Sequence, residues 1–360
     1  MNRHSSFFFK ETGKTVMVFL VVFLVFYLSR ETRISSSRAI VSETGAVLFL
    51  EERTGIDELI GHLSDLEVQF NETELRWVAS LLGWRNFSPG RYEIPESSAY
   101  QDLLSRIALG IQDLAAVTIP PGIDKGRLAR VLGNQLESDS SQFASVFTDS
   151  SDLVLELGHS PQTLLSRMLP DTYNIYWTSP PERVIRRIYN EFNRRVTDRR
   201  QEEIDANELD LEDLVTLASI IEWEASAGSE KRRISGLYWN RLRRNMRLQA
   251  DPTVIYALGE HRRLLYDDYR FDHPYNTYII RGLPPGPITN PDLASIEAAI
   301  DPEEHDYLYM VARPGGGHAF SSTFEEHQLA SAEWRRWIRE QFRIRDERER
   351  LQEIEEQETY

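Results

Sequence analysis

A chain of 360 residues has room for two or three compact domains, and 41% hydrophobic with 27% charged residues is the composition of a folded protein, not a disordered one. A net charge of −16 argues against a nucleic-acid partner, because neutralising phosphates takes a surplus of Lys and Arg. The absence of cysteine excludes a disulfide framework, a thiolate zinc site and a lipidated N-terminal cysteine.

The first element is the uncharged run "VMVFLVVFLVFYL" at 16–28. At about 1.5 Å per residue it falls short of a ~30 Å hydrocarbon core, although Phe7, Phe8 and Phe9 extend it if Lys10 and Lys14 snorkel. A cleavable secretion signal has a similar short core, but the following "SRETRISSSRAI" offers no small-x-small cleavage site. The expectation is an uncleaved transmembrane anchor over 15–29, after an N-terminus of residues 1–14 and before a linker at 30–39. Basic residues flank both ends (Arg3, Lys10 and Lys14; Arg30, Arg33 and Arg38), so charge bias leaves the orientation undecided.

From about residue 40 short strands alternate with helices. "AVLFL" (46–50) predicts a strand, and "TGIDELIGHL" opens a helix at Asp57. Asn71 with Glu74 resembles a capping box ahead of "LRWVASLLGW". "SPGRYEIPE" predicts a turn and a strand, "AYQDLLSRIALG" a helix, and "AAVTIPPG" a further strand. Gly-Ile-Asp recurs at 55–57 and 122–124, a weak echo of small α/β modules. Seven acids crowd "QEEIDANELDLED" (201–213) at a helix N-terminus, where the macrodipole favours them. Seven bases against one acid make 229–247 locally basic, which suits an anionic polymer, although a solvated helix face explains most of those arginines. The tail beyond 340 is charged all round, as expected of a frayed helix or disorder.

"LASIIEWEASAG" (217–228) sets two glutamates two positions apart at the end of a helix built for a core. On a wheel of about 100° per residue, Leu211, Leu214, Val215, Leu217, Ala218 and Ile221 form one apolar arc. Glu222 falls inside that arc and Glu224 about 160° away at its edge. A carboxyl in an apolar wall holds its proton toward neutral pH, which makes Glu222 the candidate general acid. The plainer reading is a boundary glutamate paired with a downstream arginine. "MRLQADPTVIYALG" (246–259) places Gln249 and Asp251 just before Pro252, which presets a helix start. "HPYNTYIIRGLPPGPITNP" (273–291) brings Tyr275, Asn276 and Tyr278 to the head of a Pro/Gly segment that suits a sugar groove or a rigid connector. His318 and His327 lack helical metal-ligand spacing, so no metal site is expected.

"LASIIEWEA", "YWNRLRRNMRLQADPTVIYALG", "YNTYIIRGLPPGPITNP" and "YLYMVARPGGGHAFSSTFEEH" occur in order, with "LPDTYNIY" (169–176) and "AAVTIPPG" upstream. Together, over roughly residues 40–335, they resemble the MltG-type (YceG-like) endolytic murein transglycosylases. The resemblance implies an α+β fold: a membrane anchor, a small LysM-like βα module at 40–115, an α+β catalytic domain at 116–335 and a charged tail at 336–360. It implies cleavage of peptidoglycan between N-acetylmuramic acid and N-acetylglucosamine, leaving 1,6-anhydro-muramyl ends and ending nascent strands, with no cofactor. The implied catalytic residue is Glu222, one carboxyl serving as acid and then as base, unlike the two-carboxylate glycosidases. The implied groove wall is Gln249, Asp251, Tyr275, Asn276 and Tyr278. The implied partners are glycan strands, the cytoplasmic (inner) membrane and, more loosely, peptidoglycan synthases, with the catalytic domain on the extracytoplasmic side. The chain departs from the pattern where Trp223-Glu224-Ala225 replaces Lys and a Glu-Thr pair, and where "LSRM" replaces an acidic residue and a glycine before "LPDTY". A hydrolase of the same bond and a non-catalytic wall-binding scaffold are the rival readings.

Overall fold

The computed structural model describes residues 4–225, 228–260 and 262–358. It has a mixed α+β fold, with an apolar N-terminal helix and two compact units. The N-terminal helix His4–Ser35 runs through the apolar run and part of the expected linker. Its stretch Thr15–Ser35, with mean hydropathy 1.7, is long and apolar enough to cross a membrane. Every side chain from Val16 to Leu28 is exposed, an apolar surface that water alone does not stabilise. The last turn behaves differently. Ile34 is buried in the core of the first unit, and Arg33 donates to Glu74 at 3.1 Å with its guanidinium 4.7 Å from the Trp77 ring.

The first unit comprises Met1–Val117, Gln135–Ser138 and Asn174–Pro180. Its longest strands, Ala46–Leu50 and Gly90–Ile94, pair antiparallel with Leu48 opposite Tyr92. Alternation sends Leu48, Leu50, Tyr92 and Ile94 inward, where they meet Leu59 and Leu63 from helix Ile56–Asp65 and Leu75 and Val78 from helix Glu72–Leu82. The predicted cap at Asn71 forms by half: its side chain accepts from the Glu74 amide at 3.0 Å, while the Glu74 carboxylate turns to Arg33. Among the described residues no discrete LysM-like module is distinguishable. Strand Ile40–Val41 pairs with both Gln69–Phe70 and Ser97–Ser98, and Ile34 of the N-terminal helix enters the same core as helix Tyr100–Ala108, so the core runs past the expected boundary at residue 40.

The second unit comprises Thr118–Asn134, Asp139–Tyr173 and Pro181–Tyr360. Helices Leu211–Glu224, Lys231–Arg243 and Leu293–Ile300 pack around Leu214, Leu217, Ile221, Leu237 and Ile296. Gly236 permits this packing, since a Cβ there would stand 2.2 Å from the Glu303 carbonyl oxygen. An antiparallel hairpin, Tyr309–Ala312 with His318–Ser321, follows, and helix Phe324–Glu358 carries the charged tail.

Candidate active site

Helix Leu211–Glu224 starts where Asp210 caps the Asp213 amide at 2.9 Å, and its aliphatic residues from Leu214 to Ile221 are fully buried. The two glutamates of its last turn meet different surroundings.

Glu222 does turn inward, its side chain 9% exposed, but not into an apolar wall. Its Oε2 accepts from Lys231 Nζ at 3.1 Å, from the Asp292 amide at 3.0 Å and from Ser295 Oγ at 2.6 Å. Lys231, 8% exposed, also pairs with Asp292 Oδ2 at 2.7 Å. Asp292 caps helix Leu293–Ile300 through the Ser295 amide at 2.7 Å. This cluster ties three helices together, and against the opposing effect of burial the lysine holds the Asp292 carboxyl below its usual range.

Glu224 lines a cavity of about 420 Å³ that does not include Glu222. Burial, then the nearby Asp251 carboxylate, push the Glu224 carboxyl up to about 7; the Tyr238 hydroxyl at 3.1 Å, Arg241 and the Asp251 amide restrain the rise. A helix C-terminus disfavours negative charge in the same sense. The protonated form therefore persists near neutral pH, as a general acid requires.

The cavity also takes in Gln249, Asp251 and Tyr278, three of the expected groove residues. Asp251 opens helix Asp251–Leu258 and accepts from the Tyr278 hydroxyl at 2.6 Å. Gln249 has φ 51°, a left-handed backbone uncommon for a non-glycine. That turn is fixed by the Gln249 amide on the Thr277 carbonyl at 3.1 Å and the Ala250 amide on Thr277 Oγ1 at 3.0 Å. Thr277, which lies inside the motif expected to line the groove, is the clasp that holds the two motifs together.

Tyr275 and Asn276 do not line this cavity. Tyr275 packs against Tyr256, ring centroids 4.6 Å apart. Asn276 is fully buried; its amide donates to the Phe271 carbonyl at 2.8 Å and the Tyr269 carbonyl at 3.3 Å, and its carbonyl accepts the Tyr278 amide at 3.0 Å. It shapes the loop and leaves no polar atom for a ligand.

The hairpin and final helix complete the cavity with Tyr309, His318, Phe324 and His327. Arg241, buried among them, donates to the Leu308 and Leu248 carbonyls, each at 2.6 Å, and burial holds its pKa below the usual arginine range. Sequence reasoning missed Tyr238 and weighed His327 only as a metal ligand. Tyr238 and Arg241 do stand one helical turn apart on one face, a signal that could have paired them. Among the described residues no cluster of His, Asp and Glu is arranged to hold a metal.

Residues 48–333 match the model of the YceG-like family. The chain is 27% identical over 311 residues to an endolytic murein transglycosylase of Bacillus subtilis, covering 81% of this chain and 86% of that protein. It is 28% identical over 290 residues to one from Streptococcus pneumoniae, covering 71% of this chain and 52% of that longer protein. A crystal structure of a YceG-like protein from Listeria monocytogenes aligns with TM-score 0.57 and 27% identity, over 80% of this chain and 99% of that one.

Proposed function

This chain belongs to the YceG-like family, and on that premise we propose that it is an endolytic lytic transglycosylase of peptidoglycan. It cuts between N-acetylmuramic acid and N-acetylglucosamine, leaves 1,6-anhydro-muramyl ends and so terminates growing strands. The observation that carries this reading is Glu224, a half-buried carboxyl pushed up to about 7 in a groove of hydroxyls, amides and aromatic rings. Glu224, not Glu222, is the residue we assign as proton donor. Its proton goes to the glycosidic oxygen as the bond to C1 breaks and C1 gains oxocarbenium character, and the C6 hydroxyl of the same sugar closes on C1. Asp251, buttressed by Tyr278, and Gln249 are the side chains best placed to hold sugar hydroxyls. Glu222 instead fixes the end of the helix from which Glu224 projects. Helix Thr15–Ser35 is the proposed single-pass anchor in the cytoplasmic membrane, with the two units on the wall side and peptidoglycan strands as the partner.

Mass analysis of sacculus digests tests this. Products lighter by one water than reducing-end fragments are expected from the wild type, none from Glu224→Gln, and the same products from Glu222→Gln at a reduced rate. Reducing ends would make the protein a hydrolase, and binding without soluble product a scaffold. Full activity in Glu224→Gln with loss in Glu222→Gln would return the reaction to Glu222.

A further inference from the structure

The proposed reaction sheds a second proton, from the C6 hydroxyl, and the groove holds a group built to take it. Both oxygens of Glu230 serve one residue: Oε1 accepts the His318 amide at 3.0 Å, and Oε2 faces His318 Nδ1 at 2.9 Å. The turn before His318 is shaped around that carboxylate. Gly315, Gly316 and Gly317 have φ of 87°, 98° and 72°, and a Cβ on Gly317 would stand 2.6 Å from Glu230 Oε1. A ring nitrogen facing a carboxylate carries hydrogen, so in the neutral imidazole Nε2 holds the lone pair. His318 lines the same cavity as Glu224; its Nε2 has no partner among the described residues and is not sealed off as a buried orphan. A base that lines the same groove as the acid, oriented by a carboxylate behind it, is an arrangement that acid–base catalysis recurrently uses.

We propose that His318, oriented by Glu230, is the catalytic base of this reaction, dividing between two residues the proton transfers that a lone carboxyl would otherwise perform in turn. This rests on the transglycosylase reading. Glu224 gives its proton to the glycosidic oxygen as the C1–O bond breaks; O6 bonds to C1, and the O6 proton passes to Nε2. Turnover closes when the imidazolium returns that proton through groove water to the Glu224 carboxylate, so no other reactant is consumed. The charged groups around the pair are Arg313 from the hairpin turn and Arg233 from helix Lys231–Arg243, both acting on Glu230, with Glu224 and His327 across the cavity. Glu230 is the positioning residue: burial opposes its charge, but the amide and imidazole of His318 hold its carboxyl below the usual range.

The test is the pH profile of the full chain on soluble uncrosslinked glycan strands. His318→Asn keeps a donor near the Nδ1 position and deletes Nε2. The expected result is a fall in kcat of about 100-fold, KM within threefold, loss of the acid limb of the profile, and partial recovery of rate on adding imidazole. A kcat within threefold of wild type would overturn the assignment, as would a fall in kcat with the acid limb intact and no imidazole rescue. Should that variant not fold, Glu230→Gln removes the carboxylate that orients the ring, so kcat should fall about tenfold with KM within threefold; an unchanged kcat overturns the pairing. Wild-type digests lacking anhydro ends would sink the transglycosylase reading itself, a result separate from the variant profiles.

Discussion

Glu224→Gln removes the titration of one carboxyl while keeping its shape. In the folded chain burial, and then the Asp251 charge, raise that carboxyl from 4.5 to about 7. Folding therefore takes up a proton between those values. Glu224 is nearly neutral for stability below pH 4.5 and increasingly unfavourable as pH climbs through 7. The difference of 2.5 (7 − 4.5), at about 1.36 kcal/mol per unit, gives roughly 3 kcal/mol by pH 8. Glutamine does not titrate, so its advantage over glutamate should widen by about 3 kcal/mol between pH 4 and pH 8. Urea unfolding followed by tryptophan fluorescence reads this directly, since Trp223 adjoins the site. The wild-type activity profile should fall on its alkaline side with a midpoint near 7. Parallel stability curves for the two proteins would refute the premise that this carboxyl stays protonated near neutrality.

Lys231→Met should leave Glu222 and Asp292 facing one another without their shared cation, lowering stability by about 3 kcal/mol at pH 7. The paired lysine holds Asp292 below the usual carboxylate range against burial, so the deficit should shrink as pH falls and the carboxyls protonate; urea titrations at pH 7 and pH 4 check both statements. Asn276→Ala should destabilise by about 2 kcal/mol in the same assay, because the buried Phe271 carbonyl and Tyr278 amide lose their partner, while the mass of the digestion products stays the same.

What was legible in the sequence was local. Strand 46–50, the Asn71 cap and helix 100–108 follow from alternation, a polar cap and 3.6-residue spacing, which need only neighbouring residues. The choice between the two glutamates was not local. The wheel rightly turned Glu222 inward, but what awaits it there is a lysine nine residues on and a helix start seventy residues on. Glu224 projects from the edge of the aliphatic arc, where a wheel does not separate a cleft from solvent. The chain returning at 249–251 and 309–327 supplies walls there that no window of sequence contains. Asn276 and Tyr275 sit in the motif expected to line a groove, and they instead brace the loop that presents Tyr278. The expected module at 40–115 blurred for a similar reason: its two-residue strands take meaning only from pairings that reach across the whole first unit.

A helix whose final turn is pinned into a core cannot swivel like a tether. Arg33 and Ile34 leave only about four residues, roughly 6 Å, between the end of the apolar run at Leu28 and the body they grip. Whatever covers Val16–Leu28, the first unit stands off it like a lamp on a short rigid stem, at a set height and facing. The spacing between that run and the first unit is then a matter of build, not of chance diffusion on a leash.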